Sequence, residues 1–401
     1  MQYLAPLSGS VKHYDWGGTS YIPSLLLVEN SNLQPYAEYW MGVHLQADCK
    51  LTLDNGDVVL LKDYIAARPE KALGAKVFKA FGNMPYLLKV LDVKDMLSIQ
   101  VHPSKSQAAI DFEEENKKGI PLNAANRNYK DANHKPELMV AMSEFYLLHG
   151  FKPEEELLTV LDKIKELKIF KPVFKKKGYY GLYKRAMEMP QEEVNERLHP
   201  LLNRIIPLYQ NGQLSKDNED FWAARAALTF GRPGIIDRGI FSVYFFNLVK
   251  LNKGQAIFQD AGVPHAYLEG HNVEIMASSD NVLRGGLTTK HIDTTALLKH
   301  TRCEATHPKI INQVKSRANQ RYKAPVKDFS LYAYRIKKGE RIALDITTAE
   351  IFLLMEGKVL LQAKKSKTEL KPGSIAAAAF AGAAVTAKAL EDAWLFKASA
   401  F

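Results

Sequence analysis

The sequence predicts a mainly β protein interrupted by a helical insertion, arranged as two β-barrels and an α-helical domain. Three observations carry this. Short apolar runs bounded by turn signals fill the first 100 residues, and strands return after Gly239. Between 152 and 235 the apolar residues recur instead at helical spacing. Finally, LNKGQAIFQDAGVPHA (251–266) resembles LKPGSIAAAAFAGAAVTA (370–387) once a one-residue offset is allowed, which points to two related barrels rather than one long sheet. The expected units are 1–151 and 236–325 as the two parts of one β domain, 152–235 as the insertion, and 326–401 as a second β domain. A chain of 401 residues has room for them at about 150 residues per domain.

In chain order, Asp54-Asn55-Gly56-Asp57 between LTL and VVLL reads as a hairpin turn. From Met96 to His102 apolar and polar residues alternate strictly. A strand is expected there, with Leu97, Ile99 and Val101 on one face and Ser98, Gln100 and His102 on the other. Pro103 ends it, and Ser104 is placed to cap a helix through SQAAIDFEEENKK to Gly119-Ile120-Pro121. Residues 134–151 are strand-like, and extension at their start puts Lys135 and Glu137 on one face. Pro153 with Glu154–Glu156 opens a helix continued by Leu157, Val160, Leu161, Ile164 and Leu167. Further helices surround Val194–Tyr209 and Phe221–Phe230. FSVYFFNLVKLNKG, after Gly239, reads as strand again, as do KDFSLYAYRIKKGERIALD, IFLLMEGKVLLQ and the 370–387 segment.

Composition excludes several classes of function. With 46% hydrophobic and 24% charged residues the chain is an ordinary globular protein. Two cysteines, Cys49 and Cys303, allow at most one disulfide, which fits a reducing cytoplasm. MQYLAPLSGSVKHYDWGG has no basic and apolar leader pattern, and the Ala-rich run Ile375 to Val385 is too short to span a bilayer, so no membrane role is expected. The net charge of +10 is spread over short clusters such as Lys175–Lys177 and Lys364–Lys367 without interleaved aromatics, and no nucleic-acid partner is expected.

Chemistry concentrates in three separate pieces. Gln100 and His102, Glu137 of HKPE, and His265 of PHAY together offer an amide oxygen, two imidazoles and a carboxylate. Around a divalent cation such a set leaves about +1 net charge, so the metal would remain a Lewis acid. Only a barrel-like topology would bring these pieces together.

SIQVHPSK, YKDANHKPELMVAM, AGVPHAYLEG and EIMASSDNVLRGGLTTKHID, with YDWGG and AEYWMG nearer the start, resemble the signature blocks of the type I phosphomannose isomerases, zinc enzymes of the cupin superfamily. The resemblance runs in order through nearly the whole chain. It implies a cupin-like, jelly-roll character for both barrels, and one zinc ion per chain on Gln100, His102, Glu137 and His265. It also implies an essential arginine at Arg284, and a pocket lined by Ser98, Lys89, Lys135, Tyr267, Glu274 and Asp280. The implied reaction interconverts mannose 6-phosphate and fructose 6-phosphate through a cis-enediol, within mannose metabolism, so the expected partner is a phosphorylated hexose. Arg284 and Lys135 would offset phosphate or oxyanion charge. The base would be Glu274, His134 or a metal-bound water. Gly285 and Thr289 stand where many bacterial relatives have alanine and proline, which bears only on local loop shape.

Two other readings stay open at this stage: another metallo-cupin enzyme, such as a different sugar isomerase, an epimerase or a dioxygenase, and a non-catalytic sugar-binding cupin. The 326–401 unit is expected to lack a metal site. No histidine follows His307, and Val385 stands where the repeat would place the counterpart of His265. A monomer is expected.

Overall fold

The strand Tyr86–Val93 is buried at all eight positions, which requires a sheet that continues on both sides of it and layers on both of its faces. The computed structural model of the chain, which describes residues 2–312 and 319–401, supplies both. Met1 and residues 313–318, the latter in the expected second part of the first β domain, lie outside the described residues. Glu38–Gly42 pairs antiparallel with one edge of Tyr86–Val93 and His265–Ala277 with the other. His265–Ala277 changes partners along its length. Its second half also pairs with Glu137–Ala141, and its first half with Phe145–Phe151 and Gln100–Val101. The change falls at a register shift between Tyr267 and Glu269, next to Gly270 at φ +130°. The ten-stranded sheet therefore folds over on itself, and the loose ends of HKPE, SIQVH and PHAY meet.

The described residues form three antiparallel sheets, of ten, eight and four strands, with helix and strand nearly balanced and strand slightly ahead. None of the three closes into a barrel, so the expected barrels are present as open sheets. The eight- and four-stranded sheets hold the C-terminal strands around a shared core that includes Phe352, Leu354, Leu361, Val385 and Leu395. The eight-stranded sheet also recruits Leu4–Ser8, which pairs with Ala376–Ala379, and then Lys50–Thr52 and Val58–Leu60. The first sixty residues thus tie the two β regions together, and Tyr86 adds its hydroxyl to Ala349 O and Ala398 O across that boundary. The internal repeat has a backbone counterpart. Gly254 and Gly373 have φ of +88° and +86°, and Gly262 and Gly382 have +79° and +84°.

Between Glu154 and Phe230 the chain is helical as expected, with helices Glu154–Lys163, Phe170–Met187, Gln191–Gln210 and Glu219–Phe230. Their core of Phe170, Leu182, Leu198 and Trp222 continues into Ile99 and Val101, so the helical block packs on the outer face of the segment that carries Gln100 and His102. The helix capped by Ser104 spans Lys105–Lys117.

Three expectations need correction. Gly239–Phe245 is a helix, and the strand begins only at Phe246. All seven of its residues are buried, which erases the one-sided periodicity that marks a helix, while Asp237 Oδ1 caps it by accepting from Gly239 N at 2.7 Å. Four short helices, Tyr21–Leu26, Leu61–Ala66, Pro69–Leu73 and Ala75–Phe81, interrupt the first hundred residues. The expected strand 96–102 has a ladder of only Gln100–Val101, because its residues bond to different neighbours: Leu97 N to Tyr267 O, and Ile99 N to Gly286 O.

Gly286 has φ +117°, and a Cβ there would press into the Gly239 backbone. Gly286→Ala is therefore expected to destabilise the fold by about 2 kcal/mol or more. Gly56→Ala, at φ +88° with open space around it, should lose about 1 kcal/mol. Thermal melts of the two variants beside the wild type check the ordering.

Candidate metal centre

His102, Glu137 and His265 are each at most 4% exposed, and their ligand atoms lie within 4.8 Å of one another. Glu137 directs one carboxylate oxygen to each ring, with Oε1 3.4 Å from His102 Nε2 and Oε2 3.4 Å from His265 Nε2. Both rings are oriented from behind by backbone. His102 Nδ1 lies 2.8 Å from Asn281 O and His265 Nδ1 lies 3.0 Å from Val263 O. Nδ1–H donation to a carbonyl leaves the Nε2 lone pair pointing at the common centre. His102 Nε2 is buried without a hydrogen-bond partner, and burial pushes that imidazole down to about 4, so it is neutral at pH 7 as a ligand must be. Burial opposes ionisation of Glu137, but the Lys135 ammonium, with Nζ 3.1 Å from Oε1, holds its carboxyl well below the usual range. Two imidazoles and one carboxylate converging on one point, with the His102 Nε2 orphaned, fit a divalent transition metal. Gln100 is the direct cross-strand partner of both His265 and Arg284, which sets it on the face they share. Ser98 precedes it by two residues at a half-buried position.

A second buried group adjoins the first. Trp40, Lys89 and Glu274 stand opposite one another on three adjacent strands. Lys89 Nζ lies 3.2 Å from Glu38 Oε2 and 3.6 Å from Glu274 Oε1, and 4.7 Å from the centre of the Trp40 ring. Trp40 Nε1 donates to the same Glu38 oxygen at 2.5 Å. Tyr267 Oη donates to Glu274 Oε2 at 2.8 Å. Burial, and then repulsion from Glu137, push the Glu274 carboxyl up to about 7 even with Lys89 beside it. Glu38 and Trp40 were not singled out in the sequence, although AEYWMG alternates them onto one face.

Arg284 borders this region with a different character. Its guanidinium is half-buried, burial lowers its pKa, and among the described residues no carboxylate lies within ion-pair distance of it. Lys130 and Lys290 both lie near enough to feel its charge, and the Lys130 ammonium donates to Leu122 O at 2.8 Å. Neither lysine was picked out by sequence reasoning. A Cβ on Gly285 would stand 2.5 Å from the Tyr183 hydroxyl, which accounts for glycine at this position. Asp280 faces His44, with Oδ1 3.3 Å from Nε2. Burial raises its carboxyl, but His44 outweighs that and holds it below the ordinary range. His134 takes a separate direction: its Nε2 lies 3.1 Å from both carboxylate oxygens of Asp328, in the C-terminal region.

The catalytic-domain model of type I phosphomannose isomerases matches residues 4–154. The mannose-6-phosphate isomerase of Escherichia coli (strain K12) is 35% identical over 395 residues, covering 96% of this chain and 97% of its own. That of Homo sapiens is 33% identical over 397 residues, covering 91% and 90%. The crystal structure of mannose 6-phosphate isomerase from Salmonella typhimurium bound to its substrate (F6P) and zinc superposes over all of both chains, with a TM-score of 0.89 at 33% identity.

Replacing one imidazole should empty the centre. His265→Ala is expected to lose the bound metal and activity together while keeping the wild-type far-UV circular dichroism. Elemental analysis of the purified variant, which would find about one divalent ion per wild-type chain, checks this.

Proposed function

The chain belongs to the type I phosphomannose isomerase family; it interconverts mannose 6-phosphate and fructose 6-phosphate with a bound zinc ion, and we propose how its residues divide that work. The observation that carries the assignment is the buried His102–Glu137–His265 cluster with its orphaned Nε2, in a chain that aligns end to end with known isomerases. We assign the zinc to these three residues and Gln100. When bound, zinc supplies a Lewis acid that polarises the substrate carbonyl and offsets enediolate charge.

Of the three candidate bases, Glu274 is supported best. Its carboxyl is tuned to about 7, near the pH at which a general base works well, and the Tyr267 hydroxyl orients it. It would take the proton from C2 of the aldose and return it to C1, while the hydroxyl proton passes between the two substrate oxygens. The His134 ring is engaged by Asp328 and is assigned no proton. Lys135, held beside Glu137, would hydrogen-bond the oxygen on which negative charge develops. Arg284, with Lys290 beside it, would take the phosphate, since among the described residues neither forms an ion pair with a carboxylate. Ser98, Lys89 and Asp280 are read as walls of the substrate pocket.

We read the ten-stranded sheet and the paired C-terminal sheets as two cupin-like units, supported by the glycine conformations that their repeat shares. The division into 1–151, 152–235, 236–325 and 326–401 is kept, with the N-terminal strands added to the C-terminal unit. Cytoplasmic residence is supported by Cys49 and Cys303, which are both free thiols. No helix among the described residues is long and apolar enough to cross a membrane.

A coupled assay of mannose 6-phosphate conversion, with and without chelator, tests the assignment, and turnover should vanish on chelation and return with zinc. Arg284→Ala should keep its zinc and lose about 10²-fold or more of kcat/KM, and Arg284→Lys should recover only part, because an ammonium lacks the planar fork. Glu274 works as a carboxylate, so kcat/KM is expected to rise with pH. The midpoint should lie at or below about 7, since a cation on Glu137 weakens the repulsion that raises the carboxyl. In Glu274→Gln the pH-rate profile should lose this limb, along with about 10²-fold of kcat.

A further inference from the structure

We propose that Asp328, from the C-terminal β unit, is a positioning residue for the isomerase reaction, acting through His134 on the segment that carries Lys135 and Glu137. The inference rests on the reading of Lys135 and Glu137 given above. Extension of HKPE sends Lys135 and Glu137 toward the metal centre and His134 the opposite way, toward the C-terminal unit. There the Asp328 carboxylate receives it with both oxygens at 3.1 Å from Nε2. Asp328 is 4% exposed, and His134 is its only side-chain partner among the described residues. A buried carboxylate with one partner holds that partner strictly, because the alternative is an uncompensated buried charge.

Both ends of the contact are anchored. On the Asp328 side, Phe329 is buried in the core shared with the ten-stranded sheet, and Ser330 Oγ donates to Phe401 O at 2.9 Å. On the His134 side, Asn133 O accepts from Asn281 Nδ2 at 2.8 Å and Ala277 N donates to Pro136 O at 3.1 Å. Those bonds fix one edge of the 131–137 segment, and the Asp328–His134 contact fixes the other. Lys135 follows directly, with its ammonium 3.1 Å from Glu137 Oε1, so a displacement at residue 134 is passed to a group that must meet the reacting oxygens. Misplacement on the scale of an ångström is enough to cost turnover without abolishing binding. On this account the C-terminal unit, which carries none of the metal ligands, is nonetheless part of the catalytic apparatus.

The test uses the zinc-loaded, full-length enzyme. Asp328→Asn is expected to keep about one zinc per chain and a KM within about two-fold of wild type, while kcat falls about ten-fold. His134→Ala should lose a similar factor, and the double variant no more than the larger single loss, because the two residues act as one unit. His134→Gln, whose amide can still donate to Asp328, should recover part of the His134→Ala loss. Wild-type kcat in Asp328→Asn, additive losses in the double variant, or no recovery in His134→Gln would each overturn the proposal. If the Asp328 variants do not fold, the ring-nitrogen NMR shifts of His134 in the wild-type enzyme decide, and an imidazole lacking a proton on Nε2 would refute the contact. Failure of the wild-type enzyme to convert mannose 6-phosphate would instead overturn the preceding functional reading, and the ring-nitrogen measurement would still stand.

Discussion

One buried amide sets the geometry of the candidate metal centre. Asn281 is wholly buried. Its Oδ1 accepts from Lys130 N at 2.7 Å, its Nδ2 donates to Asp131 O at 2.7 Å and Asn133 O at 2.8 Å, and its own carbonyl takes His102 Nδ1 at 2.8 Å. An unsatisfied buried amide group costs about 1–3 kcal/mol, so this arrangement is sharply preferred over any that opens it. Three stretches far apart in sequence are thereby referred to one point. They are the SIQVH segment through His102, the 130–137 loop that leads to Lys135 and Glu137, and the DNVLR segment that ends in Arg284. Asp131 extends the network by accepting from Ser279 Oγ and Asp280 N, both at 2.8 Å, and so Asp280 is placed by the same bonds.

More of the candidate site than of the fold is legible in the sequence, for a physical reason. Alternation in SIQVH and HKPE is a local property, and it survived even where the ladder shrank to Gln100–Val101, because Ile99 and Val101 still needed an apolar core and found it in the helical block. The pairing of Leu4–Ser8 with Ala376–Ala379 joins segments more than 360 residues apart, and no local pattern encodes it. The helix Gly239–Phe245 was misread because a run buried on every side has no period to read. Short helices such as Pro69–Leu73 are little more than one turn long and leave the same gap. His134 was legible as a residue of the right type, but not in its direction. Its partner Asp328 lies almost two hundred residues away, in an unremarkable KDFS stretch.

The remaining constraint is charge. Glu38, Glu137 and Glu274 meet Lys89 and Lys135 in one buried region, so three carboxylates face two ammonium groups and full ionisation leaves a net negative charge. A buried excess of one charge is costly unless it is compensated. Two compensations are available: Glu274 can keep its proton, as its carboxyl at about 7 permits, or a divalent cation can join Glu137 and the imidazoles. The second makes the first unnecessary, because part of what raises Glu274 is the charge on Glu137. Metal binding and ionisation of Glu274 are therefore linked, each favouring the other. Loss of the cation removes the Lewis acid and, by the same electrostatics, tilts Glu274 back toward its protonated form. Loss of the cation and reprotonation of Glu274 then go together, and that linkage follows from placing the two carboxylates in one buried site.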